Sequence, residues 1–76
     1  MNLERRSRID RLIGLLESAR EEAGRLADEA EAERSVVWDN KKEYAAATRT
    51  YFNLDLAKIR VRQAIVFLRE AKEREA

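Results

Sequence analysis

From Ile9 to Leu68 an apolar or aromatic side chain recurs every three or four residues. With Ile9 as position a of a seven-residue repeat, the a and d sites are Ile9, Leu12, Leu16, Ala19, Ala23, Leu26, Ala30, Glu33, Val37, Asn40, Tyr44, Ala47, Tyr51, Leu54, Lys58, Val61, Ile65 and Leu68. Fifteen of these eighteen are apolar or aromatic. Residues three and four apart share one side of an α-helix, so the spacing predicts a packed helical seam. The composition agrees. Charged residues make up 41% and hydrophobic ones 45%, and there is no proline. Such a balance suits long amphipathic helices rather than a sheet or a disordered tail.

Two of the three interruptions, Glu33 and Asn40, flank the stretch Ser35–Asn40, where a turn is expected. Asn40 has the chemistry of an N-cap, and Glu43, three residues on, can reach back to its amide in a capping box. Val36, Val37 and Trp38 form an apolar cluster suited to plugging the end of a two-helix seam. The fold expected is all-α: an antiparallel hairpin in one domain, 1–76, with helix 1 at about 3–35, the turn at about 36–40 and helix 2 at about 41–74. Each helix would be roughly 50 Å long at 1.5 Å per residue. There is an alternative. The stripe keeps its phase across the proposed turn, and no glycine marks a helix end there. One continuous coiled-coil helix, about 110 Å long, also satisfies the pattern. A third arrangement breaks the chain again near "YFNLD".

Folding the chain back pairs residues whose numbers sum to about 77. Ile9 then faces Leu68, Leu12 faces Ile65, and Ala30 faces Ala47. One layer sets Lys58 against Ala19, with the lysine stem lying over the small alanine. Gly14 and Gly24 fall inside helix 1, where each costs up to about 1 kcal/mol relative to alanine.

Helix 2 is apolar beyond its seam. Phe52, Ile59 and Val66 follow one another at seven-residue spacing, and Ala57, Ala64 and Ala71 line the other flank. A narrow neighbour cannot cover so wide a surface. A chain of 76 residues also buries a small core, and with no cysteine or histidine it has neither a disulfide nor the usual metal ligands to brace it. Association is the remaining support. Self-association through Phe52, Ile59, Ile65 and Val66 into a homodimeric four-helix bundle is expected.

Charge is distributed unevenly. Glu21–Glu33 carries six acids and one arginine, a net −5, whereas Tyr44–Arg69 carries five basic residues and one acid, a net +4. Arg5, Arg6, Arg8 and Arg11 make the beginning basic. These four, together with Arg60, Arg62 and Arg69, are candidate contacts for a polyanion or another partner. Overall charge is only +1, so no global field favours nucleic acid or a membrane surface. A protein partner is expected ahead of RNA or DNA, and an arginine-rich open end that binds nucleic acid is the alternative function.

Nothing points to catalysis. Without histidine or cysteine there is no imidazole acid–base group and no thiol nucleophile. The carboxylate pairs Glu21–Glu22 and Asp28–Glu29 are sequence neighbours, which diverge on a helix and do not converge on one metal. Glu33 marks the approach to the turn. No cofactor, metal or small-molecule substrate is expected. No apolar run approaches the roughly 20 residues of a membrane span, and a cytoplasmic location is expected. The resulting expectation is a small non-enzymatic interaction or adaptor protein, of the size of phage- or plasmid-type regulators.

Overall fold

Both helices begin at an asparagine. In the computed structural model, which describes residues 2–75, α1 spans Leu3–Val36 and α2 spans Lys41–Arg74. Asn2 Oδ1 accepts from the Arg5 amide at 2.9 Å, and Asn40 Oδ1 accepts from the Glu43 amide at 3.1 Å. Both asparagines are extended, as an N-cap requires. The expected capping box forms only by half. The Asn40 amide is donated to the Val37 carbonyl at 2.9 Å, so the turn itself does what the Glu43 side chain was expected to do.

That same turn explains why no glycine is needed. The Val37 amide closes α1 by donating to the Glu33 carbonyl at 3.0 Å. Val37 sits at φ −104°, ψ 19°, and no described residue has a positive φ. The helix therefore ends without the left-handed residue that favours glycine. Of the expected apolar plug only Val37 is half-buried. Val36 and Trp38 point outward, 78% and 73% exposed.

The two helices pack against each other as a hairpin, 59 × 14 × 11 Å across its Cα atoms. A continuous helix would be about 110 Å long, so the chain turns once, at residues 37–40, and α2 runs unbroken through "YFNLD". Near the turn Ala27, Ala30 and Ala47 are buried, and toward the open end so are Ile13 and Ile65. The numbers of Ala30 and Ala47 sum to 77 and those of Ile13 and Ile65 to 78, close to the register anticipated from the sequence.

α2 meets its neighbour along most of the anticipated line, with Ala47, Tyr51, Leu54, Val61, Ile65 and Leu68 buried or half-buried, while Tyr44 and Lys58 on the same line are exposed. α1 does not. Its a line is used: Ile9, Leu16, Ala23 and Ala30. Its d line of Leu12, Ala19, Leu26 and Glu33 is exposed. The residue after each d site turns inward instead: Ile13, Arg20, Ala27 and Arg34. Relative to the expected seam, α1 is rotated by about 50° at 100° per residue. Two causes act together. A four-residue turn sets the rotation of α2 independently of α1, so phase continuity in the sequence has no structural force. A strict seven-residue repeat also drifts by about 20° per repeat on a straight α-helix.

Lys58 is likewise displaced from its expected neighbour. Its Cδ lies 3.8 Å from where a β-carbon on Gly24 would stand, nearer the turn than Ala19. Helical side chains lean toward their own N-terminus, which for α2 is the turn. A β-carbon at Gly24 would make only ordinary contact with that stem. Gly24 is therefore a tolerated helix defect and not a packing requirement.

Candidate interaction surfaces

The two broad sides of the hairpin differ in kind. One is polar. Asp10 meets Lys72 at 2.6 Å, and Glu17 meets Arg69 at 2.9 Å. Farther along, Arg34 donates to the Tyr44 hydroxyl at 3.0 Å. Its guanidinium carbon stands 5.3 Å from the Tyr44 ring centroid and 5.4 Å from that of Tyr51, within the range of a cation–π contact. The arginine holds the Tyr44 phenol below its ordinary pKa, first through the hydrogen bond and then through its charge.

The other broad side is apolar. On α1, Glu17 and Leu12 lie about 70° to either side of the seam at 100° per residue. On α2, Arg69 and Ala64 are likewise about 70° to either side. Glu17 and Arg69 meet each other, so Leu12 and Ala64 share the opposite side. Seven-residue spacing extends that side to Ala19 and Leu26 on α1 and to Ala57 and Ala71 on α2. Leu12 is 45% exposed and Leu26 40% exposed. Leu15 broadens this strip beside the hollow formed by Arg5, Arg8, Ile9, Arg11 and Leu12.

A second apolar stripe runs along the outer shoulder of α2, adjoining the polar side. Phe52, Ile59 and Val66 are all exposed there, with Leu56 beside them. Ile59 borders a shallow hollow whose other walls are Arg20, Lys58 and Arg62. Three cations thus stand beside this stripe near the middle of the hairpin.

The sequence-derived candidates separate accordingly. Phe52, Ile59 and Val66 lie together on an open stripe. Ile65 does not belong with them. It is 2% exposed and lies in the hairpin's own seam, because it occupies an a position whereas the other three occupy b. The arginines gather only in part: Arg5, Arg8 and Arg11 line one hollow near the open end, and the others lie apart from it. Arg5 binds Glu75 at 2.9 Å, Arg69 binds Glu17, and Arg60 donates to Gln63 at 3.1 Å. Arg62 stands near mid-hairpin. Arg6, Arg8 and Arg11 are near the open end, but so are Glu4, Asp10, Glu70, Glu73 and Glu75. The exposed line Leu12–Ala19–Leu26 was missed as a surface because its spacing had assigned it to the seam.

Among the described residues no three carboxylates gather where a metal ion could be held, and no helix is long and apolar enough to cross a membrane. No family model, no curated protein and no solved structure matches the chain.

Proposed function

We propose that this chain is a helical interaction protein that self-associates and holds a protein partner. One observation carries the reading: the hairpin leaves outside most of what it would be expected to hide. Among the described residues five form its buried core, three of them alanines, whereas twelve large hydrophobic side chains are exposed. A core so small supports little stability by itself. Extended apolar stripes on a protein surface mark sites of contact with other molecules.

There are two such stripes, on different sides, as an adaptor requires: one surface for a second copy and another for a partner. The partner that fits the α2 shoulder carries apolar anchors flanked by acidic side chains. Arg20, Lys58 and Arg62 stand beside Ile59 to receive them. Three arginines share one hollow at the open end, but acids stand at the same end, which supports a protein partner ahead of nucleic acid.

The test is unfolding in urea at several protein concentrations, followed by helical circular dichroism, with sedimentation equilibrium in parallel. Linked association makes the midpoint rise with protein concentration, and the sedimenting mass should be about twice the 8.9 kDa chain mass. A fixed midpoint with a monomeric mass at every concentration would refute self-association.

A further inference from the structure

We infer that a second copy of this chain covers the Leu12–Ala19–Leu26 side, antiparallel to the first, with the twofold axis passing beside Ala19. The inference rests on the reading of the protein as self-associating and specifies which stripe does it and in what orientation.

The exposed d line of α1 is Arg5, Leu12, Ala19, Leu26 and Glu33, at strict seven-residue intervals. Reversal about Ala19 exchanges Leu12 with Leu26 and Arg5 with Glu33. An antiparallel copy therefore sets leucine on leucine twice and arginine on glutamate twice, with alanine on alanine at the axis. The neighbouring line comes close to the same match, because Arg8 falls within one residue, about 1.5 Å along the axis, of Glu29. A twofold interface must be self-complementary in this way. Neither Glu29 nor Glu33 has an ion-pair partner within the described hairpin, whose four ion pairs lie elsewhere. Arg5 does bind Glu75, but that pair is exposed, and exchanging such a pair costs little.

Position supports the same axis. α1 runs from Leu3 to Val36, so Ala19 stands at its middle and the two hairpins overlap along their whole length. The side they share measures 59 × 14 Å between Cα atoms, roughly 800 Å² in projection, the area per partner of a standard specific interface. Ala57, Ala64 and Ala71 line the α2 half of this side. Such small residues let a second layer approach closely.

Charge discriminates between the two orientations of that copy. α1 is polarised, basic at its start and net −5 over Glu21–Glu33. Antiparallel copies join unlike ends, whereas parallel copies join like ends.

The experiment uses the full chain, which has no cysteine of its own. Ala19→Cys should oxidise to a disulfide dimer, since a thiol at the axis meets its own symmetry mate within bridging distance. Ile59→Cys should not. In parallel, the variant Arg5→Glu/Arg8→Glu and the variant Glu29→Arg/Glu33→Arg should each self-associate at least about tenfold more weakly than the parent, a loss of about 1.4 kcal/mol. Mixed one to one they should form a heterodimer approaching parental affinity, because every reversed charge then meets its opposite. Circular dichroism establishes that each variant is helical, and mixing rescues only an intermolecular effect. A dimeric parent in which Ile59→Cys cross-links and Ala19→Cys does not, or in which mixing restores nothing, overturns this interface and leaves self-association standing. A monomeric parent overturns both.

Discussion

Arg34 shows how a charged residue can occupy a helical seam. Its guanidinium lies over Tyr44 and Tyr51 and donates to the Tyr44 hydroxyl. Its Nε is buried without a hydrogen-bond partner among the described residues, so the aromatic contacts offset part of the cost of desolvation. The arrangement has a titratable signature. The Tyr44 phenolate is favoured in the folded state by the Arg34 hydrogen bond and charge, so its folded pKa lies below the unfolded value of about 10. The folded chain then releases this proton before the unfolded chain does. Stability gained from the shift is fully present above the unfolded pKa and is lost as pH falls through the folded one. In a Tyr51→Phe background, absorbance at 295 nm should show Tyr44 ionising below pH 10, and a further Arg34→Gln change should move that ionisation upward. An unmoved titration would mean that the contact with Arg34 is not formed in solution.

At the scale of the element, the two helices were unequally legible. Asn40 announces the start of α2 by its chemistry, and the seam of α2 follows the seven-residue pattern from Ala47 to Leu68. α1 has two lines beside its a positions, an apolar one through Leu12, Ala19 and Leu26, and a mixed one through Ile13, Arg20, Ala27 and Arg34. The apolar pattern favours the first, and the structure uses the second. The choice depends on the rotation imposed by the turn and on how closely Ala27, Ala30 and Ala47 let the helices approach, and both are tertiary properties. The same limit applies to the candidate contacts. Phe52, Ile59 and Val66 are legible as an exposed stripe because nothing on α2 competes for that shoulder, whereas Ile65 is not exposed with them, because its line serves the hairpin itself. The ranking of contributions follows from burial. Ile65→Ala should cost about 2–5 kcal/mol, Asn40→Ala about 1 kcal/mol, and Glu17→Gln, which breaks an exposed pair with Arg69, under about 1 kcal/mol. Urea unfolding at one fixed protein concentration measures all three. A Glu17 effect as large as that of Ile65 would show that the polar side, not the seam, holds the hairpin together.

The whole molecule is a thin slab: long enough to present a surface of standard interface size, too thin to bury much of its own. Its shape makes the arrangement of two copies measurable. The hairpin has a Cα radius of gyration of 17.2 Å and a length of 59 Å. Two hairpins stacked side on side with full overlap, their layers about 10 Å apart as packed helices are, raise the radius by less than about 2 Å. Joined end to end, for instance through Val36 and Trp38 at the turn, they would roughly double it, since the centres would then be separated by a full hairpin length rather than by one helix spacing. Small-angle scattering at a concentration where sedimentation shows dimers separates these cases without any substitution. Doubled mass with nearly constant radius and length is the outcome that an axis at the midpoint of α1 requires. Doubled mass with doubled length would place the contact at the tips, where neither the leucines nor the opposed charges of α1 could take part.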